Sequence, residues 1–180
     1  RFGLAGAGTS TCALAFGGYS SPSRVSCTEE FICPQSCTFT SWAAGGALST
    51  ARYQLAGAGT QNEALAFGGT NPRTVSCTEE YNGSSWSAGG AMITARRNLA
   101  GVGTQNAGLA FGGNFPVVSC TEEYNGSTWA AGGALSTARY NLAGAGTQNA
   151  GLAFGGTPPA GAKSCTEEYD GSSWSAGGAM

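Results

Sequence analysis

The chain has 180 residues, a formal net charge of −2, only 10% charged residues and no histidine, and its 31 Gly and 30 Ala together make up one third of it. Without histidine there is no Ser-His-Asp triad, no Cys-His dyad, no His-ligated zinc or copper and no imidazole base. A slightly acidic chain leaves no electrostatic footprint for nucleic acid, and no run approaches the roughly 18 apolar residues of a membrane-spanning helix. The length fits one ordinary domain.

Gly usage far above the average of roughly 7% raises low-complexity architectures first. Collagen is excluded because Gly does not fall at every third residue, but Leu4-Ala5-Gly6-Ala7-Gly8 looks like a silk unit. The rest of the chain removes that reading by repeating itself four times. Leu-Ala-Gly begins at Leu4, Leu55, Leu99 and Leu142. Leu-Ala-Phe-Gly-Gly begins at Leu14, Leu65, Leu109 and Leu152, and Ser-Cys-Thr-Glu-Glu at Ser26, Ser76, Ser119 and Ser164. Each unit then has one Trp (Trp42, Trp86, Trp129, Trp174) and an Ala-Gly-Gly-Ala run that ends at Leu48, Met92, Leu135 or Met180. Arg1, Arg52, Arg96 and Arg139 each stand just ahead of a Leu-Ala-Gly. Silk has no use for one Trp, one Arg and one acidic pair per unit, so the repeat is a structural one.

Turn signals divide each unit into short extended pieces. In the third unit, 99–104 reads as a first strand and Gln105-Asn106 as a tight turn. A second strand, 109–111, ends at Gly112-Gly113 and is followed by a variable loop with a proline. Residues 119–124 form a third strand, Asn125-Gly126 is a hairpin signal, and Trp129 opens the fourth. Four short antiparallel strands in about 43 residues make one propeller blade. A helical repeat is excluded by the Gly-Gly and Asn-Gly breaks and the missing 3.6-residue apolar period. The expected fold is therefore all-β, a β-propeller of four blades: 1–48 (with an inserted hairpin at 31–41), 49–92, 93–135 and 136–180. Alternating Ala and Gly in each first strand suits the crowded axis. Trp42, Trp86, Trp129 and Trp174 are expected between blades, with an exposed stacking platform as the alternative.

The order Arg, small-residue strand, Leu-Ala-Phe-Gly-Gly, Thr-Glu-Glu-Tyr-(Asn/Asp)-Gly, Trp resembles the kelch repeat over essentially the whole chain. Gly68, Gly69, Tyr81 and Trp86 match it in the second unit; in the first, Phe31 replaces the Tyr and six residues are inserted before Trp42. The wording Thr-Glu-Glu-Tyr-Asn-Gly-Ser-x-Trp also resembles kelch-like arrays of marine bacteriophage and environmental virus proteins, in tail or virion-surface components. Kelch rings usually hold six to eight blades. Two readings follow: four blades close a small ring, or the chain is part of a larger ring completed by other sequence or another chain. A start at Arg1 reads as a processed product or a fragment.

Eight of the ten acids are the pairs Glu29-Glu30, Glu79-Glu80, Glu122-Glu123 and Glu167-Glu168. Adjacent strand residues point to opposite faces, so one Glu of each pair is expected to face a neighbouring blade and meet the repeated Arg (Arg52, Arg96, Arg139). The rival is a ring of carboxylates for metal or acid/base work. Cys27, Cys77, Cys120 and Cys165 recur at one strand position and read as small buried hydrophobes. Cys12, Cys33 and Cys37 are extras. Cys12 could be bridged to Cys33 or Cys37, Cys33 to Cys37, or all three could be thiols; a bridge would favour an extracellular setting. Three sulfurs make a poor zinc site. Asn82-Gly83-Ser84 and Asn125-Gly126-Ser127 match the glycosylation sequon, but Asn-Gly is also what such hairpins require.

The units differ most between the double Gly and the Ser-Cys. These loops share one face and offer Tyr19, Arg24, Asn71, Arg73, Asn114, Phe115 and Lys163 as a binding surface. Galactose-oxidase-like copper chemistry uses a kelch-type propeller but needs His ligands. A sialidase-type Asp box needs Asp where Tyr81, Tyr124, Tyr169 and Cys37 stand. The expected function is therefore a non-enzymatic module, without metal or cofactor, that binds protein or glycan at a virion or cell surface. The alternative is a building block assembled with other copies or other chains.

Overall fold

A computed structural model describes residues 1–32, 41–159 and 164–180. Unit 1 forms β1 (Ala5–Gly8), β2 (Cys12–Phe16), β3 (Tyr19–Ser20), β4 (Ser23–Arg24), β5 (Thr28–Ile32) and β6 (Ser41–Gly45). Unit 2 forms β7 (Ala56–Gly59), β8 (Ala64–Phe67), β9 (Thr70–Asn71), β10 (Arg73–Thr74), β11 (Thr78–Tyr81) and β12 (Trp86–Gly89). Unit 3 forms β13 (Ala100–Thr104), β14 (Ala107–Phe111), β15 (Thr121–Tyr124) and β16 (Trp129–Gly132). Unit 4 forms β17 (Ala143–Thr147), β18 (Ala150–Phe154), β19 (Thr166–Tyr169) and β20 (Trp174–Ala176). Four antiparallel four-stranded sheets result, ordered β1-β2-β5-β6, β7-β8-β11-β12, β13-β14-β15-β16 and β17-β18-β19-β20. The molecule is a four-bladed β-propeller. The small hairpins β3-β4 and β9-β10 were not anticipated; each lies within a variable loop.

The innermost strands pack in succession, β1 on β7, β7 on β13 and β13 on β17. This close approach explains the glycine of each Ala-Gly strand. A Cβ on Gly101 would lie 2.4 Å from Cζ of Phe67 and 2.9 Å from the Gly57 carbonyl oxygen. The double Gly is required for a second reason. Gly68 and Gly69 have φ of 66° and 98°, in the left-handed region that favours glycine. A Cβ on Gly68 would also sit 2.7 Å from the Arg96 carbonyl oxygen, while Gly69 N–H donates to that same oxygen at 3.0 Å.

Strand alternation gives each blade two different flanks. In β8, Leu65 and Phe67 pack with Ala110, Tyr124 and Trp129 of blade 3, whereas Ala64 and Ala66 pack with Leu14 and Phe16 of blade 1. In β11, Thr78 and Glu80 face blade 3, and Glu79 and Tyr81 face the opposite way, as period-2 geometry dictates. Every junction thus sets a flank of Leu, Phe, Thr and Glu against a flank of Ala, Tyr and Trp. Burying each Leu or Phe contributes about 1.5–3 kcal/mol. Polar ties complete the junctions. Trp86, Trp129 and Trp174 donate through Nε1 to Thr28, Thr78 and Thr121 of the preceding blade at 2.9, 3.0 and 2.9 Å. Tyr124 and Tyr169 donate to Glu80 and Glu123 at 2.5 Å, and Tyr81 donates to Glu30. Gln61, Gln105 and Gln148 each donate to main-chain carbonyls of the blade before.

The repeated Arg meets the first Glu of its own unit, not a Glu of the adjacent one. Arg52–Glu79, Arg96–Glu122 and Arg139–Glu167 lie at 3.2, 3.2 and 2.9 Å, with every side chain at most 3% exposed. The two members of each Glu pair face opposite ways: the first takes the Arg of its own unit, and the second takes the tyrosine of the next blade. Arg96 also donates to the carbonyls of Cys120, Gly112 and Ala110, and Glu122 accepts from Ile93 N–H and Thr94 N–H. Each ion pair therefore ties a linker to its blade, and it tolerates burial because it is hydrogen-bonded on both sides.

Two further expectations are corrected. Cys27, Cys77, Cys120 and Cys165 do not sit in a strand; each immediately precedes one, because pairing starts at the Thr that follows. Cys27 is exposed and the other three are partly buried. Trp42 is not an inter-blade core residue. It is 51% exposed, against 8% for Trp86, since among the described residues no blade covers that flank of blade 1.

Candidate binding surface

The loops that join second to third strands emerge at one end of the molecule, and the Asn-Gly and Gln-Asn turns at the other, where Gly83 lies beside Asn62 and Gly126 beside Asn106. At the turn end, Asn82 Oδ1 accepts from Ser84 N–H and Ser85 N–H at 3.0 and 2.9 Å. Asn125 and Asp170 form the same turn. These bonds hold Asp170 down to about 2. Asp can replace Asn here, so the turn alone accounts for the two sequons.

At the loop end, β3 and β4 fold Tyr19 back over Arg24, with Tyr19 paired to Arg24 in register and its hydroxyl donating to Pro22 O at 3.2 Å. Tyr19 makes tilted ring contacts with Phe2 and Tyr53, with centroids 5.2 and 5.6 Å away. A cleft of about 390 Å³ runs beside this hairpin and is lined by Tyr19, Pro22, Ser23, Arg24, Ala51 and Asn71. Three of the expected binding residues, Tyr19, Arg24 and Asn71, thus come together between blades 1 and 2. Arg73 is exposed on the β9-β10 hairpin beside them.

Asn114 and Phe115 form a second group with Pro116, Val117 and Tyr140 around a cleft of about 290 Å³. Phe115 is 60% exposed and has φ of 75°, an uncommon conformation for a bulky residue. The Arg97 guanidinium covers one face of its ring at 3.7 Å from the centroid. Lys163 lies outside the described residues. So do Cys33 and Cys37, and with them the expected bridge to Cys12; Cys12 itself is exposed at the start of β2.

Sequence reasoning missed Tyr53, Arg97 and Tyr140. They share one position, directly after the repeated Arg, and each bridges the residue after the double Gly: Tyr53 with Thr70, Arg97 with Asn114, Tyr140 with Thr157. The signal was present, since that position carries a large side chain in all four units. Electrostatics also separate the two ends. The four variable loops contain Arg24, Arg73 and Lys163 and no carboxylate, whereas Glu63 and Asp170 lie in turns at the other end. No protein-family model matches the chain, and no curated protein matches it.

Proposed function

We propose that the chain is a kelch-type propeller that recognises an anionic glycan or an acidic protein segment through its loop end, without catalysing a reaction. The observation that carries this reading is the company kept by the arginines. Arg24 and Arg73 stand exposed beside Tyr19 and Asn71, Arg97 stacks on Phe115, and no carboxylate in these loops opposes them. Arg and Tyr together supply charge, hydrogen bonds and a stacking surface at small entropic cost. Shallow clefts on loops set by a rigid scaffold suit binding to an extended partner. The missing His and the fourfold repetition of the Glu pair favour a binder over an enzyme, since hydrolytic pairs are unique in their sites. A virion or cell surface is the setting we infer, on the resemblance to phage and virus arrays.

A glycan array that holds neutral, sialylated and sulfated glycans tests the proposal. Binding to acidic members, lost in Arg24→Ala and weakened in Arg73→Ala with unchanged thermal stability, is the expected result. A blank array, together with no binding to a poly-glutamate peptide, would overturn it.

A further inference from the structure

The two outer flanks of the molecule are the two halves of its own internal junction. Blade 4 presents the Leu-Phe-Thr-Glu half. Leu152 and Phe154 are partly exposed, while Leu65, Phe67, Leu109 and Phe111 are fully buried at their own junctions. Among the described residues, Thr166 and Glu168 lack the Trp and Tyr that reach Thr28, Thr78 and Thr121 or Glu30, Glu80 and Glu123 elsewhere. At Gly46, Gly90 and Gly133 a Cβ would strike the next blade's serine carbonyl within 2.2 Å; at the equivalent Gly178 nothing lies within 4 Å. Met180 is 68% exposed where Met92 is 4% exposed.

Blade 1 presents the Ala-aromatic half. Trp42 has no threonine to donate to among the described residues, and Ala15 is partly exposed where Ala66, Ala110 and Ala153 are fully buried. The main chain tells the same story. Gln54 N–H donates to Gly3 O, Asn98 N–H to Gln54 O and Asn141 N–H to Asn98 O, at 2.6, 2.9 and 2.9 Å. This blade-to-blade chain ends with Gly3 N–H unused in blade 1 and Asn141 O unused in blade 4, among the described residues.

We infer that two copies of these 180 residues associate, with blade 4 of one copy seated on blade 1 of the other. Three internal junctions show what the contact looks like, so they specify a blade of this repeat as the occupant, which apolarity alone would not. Trp42 Nε1 takes the partner's Thr166, Gly3 N–H takes the partner's Asn141 O, and Phe154 packs over the partner's Gly6. The contact is head-to-tail, and two of them, related by a twofold axis, close a ring of eight blades. It is weaker than the junctions within the chain. Phe31 stands where the other units have the tyrosine that ties down a Glu, and Thr9-Ser10-Thr11 replaces Thr-Gln-Asn, so the glutamine tie is missing too. The inference is independent of what the loop end binds.

Sedimentation velocity on the 180-residue chain over a range of concentrations tests it. The expected result is a reversible species with the mass of two chains. Leu152→Lys and Trp42→Asp lie outside all three internal junctions, and each should reduce the species to one chain or to a far weaker pair. Circular dichroism checks that both fold. An equimolar mixture of the two variants should regain the two-chain mass, because one unblocked blade 4 then meets one unblocked blade 1. Phe31→Tyr should tighten association by about tenfold, by returning a hydroxyl to Glu168. A wild-type chain that stays single at every concentration would overturn the inference. So would association that survives both flank variants, or a mixture that stays single.

Discussion

The junction between blades 2 and 3 and the outer flank of blade 1 are written with nearly the same residues, yet they are different physical environments. Arg96 and Glu122 are 0% and 2% exposed at 3.2 Å; Arg1 and Glu29 are 14% and 47% exposed at 3.0 Å. The distances hardly differ, so geometry alone does not rank these ion pairs. What differs is whether a neighbouring blade removes water. Desolvation pushes the Arg96 guanidinium down, and Glu122 and Cys120 oppose that push. The lesson is that a repeat unit does not carry its own energetics. It carries half of two junctions, and the value of each residue is set by the unit beside it.

The largest effect that probes this contrast is loss of the arginine. Arg96→Met leaves Glu122 buried without a cation and should destabilise by about 3–5 kcal/mol in urea unfolding, whereas Arg1→Met should cost no more than about 1 kcal/mol. Equal losses would remove the distinction. Next is overpacking at the axis. Gly101→Ala drives a methyl into Phe67 and the Gly57 carbonyl and should cost about 1–3 kcal/mol. Gly6→Ala meets only the Leu14 carbonyl oxygen, at 3.2 Å, and should cost less.

A smaller effect separates the junctions by pH. Burial first, then the hydrogen bond to a Glu, pushes Tyr124 and Tyr169 up to about 12 from 10.0. An unfolded tyrosine ionises near pH 10 while the folded one stays protonated. The stability these residues contribute is therefore complete below pH 10 and is lost as pH rises through about 12. Tyr124→Phe should lower stability by about 1 kcal/mol at neutral pH and flatten the alkaline loss. The same change adds nothing at blade 1, where Phe31 already stands.

The smallest concerns the turn end. Asp170, held at about 2, contributes stability above pH 3.8 that is lost as pH falls through about 2. Asp170→Asn should leave neutral-pH stability unchanged and remove that acid limb, which makes blade 4 behave as blades 2 and 3 do with Asn82 and Asn125.

Much of this was readable before any coordinates, for a physical reason. Fourfold repetition averages out local ambiguity, so the Trp, the double Gly and the Asn-Gly turn marked strands that single propensities would not. Period 2 likewise gave the two members of each Glu pair opposite faces. It did not say which one the Arg would choose, because that depends on the path of the linker at 93–94 and its equivalents, whose N–H groups bind the first Glu. Ser-Cys-Thr reads as extended chain throughout, yet pairing begins only at the Thr. Trp42 is exposed although its unit carries the same pattern, because a repeat pattern describes a unit and is silent about what lies beside it. At the loop end, Tyr19, Arg24 and Asn71 were legible as variation between units. Arg97 and Tyr140 carry a weaker signal, a large side chain at one position in every unit, because they lie outside the variable loops and join them only through main-chain bridges.

The main-chain bonds from Gly3 to Gln54, Asn98 and Asn141 have one more consequence. The four residues are Gly, Gln, Asn and Asn, and three of them hold φ between 54° and 57° without being glycine. Their N–H and C=O groups do the joining, which leaves their side chains uncommitted to it. The joint can therefore pass through Gly, Gln or Asn from one unit to the next while the main-chain link between blades stays the same.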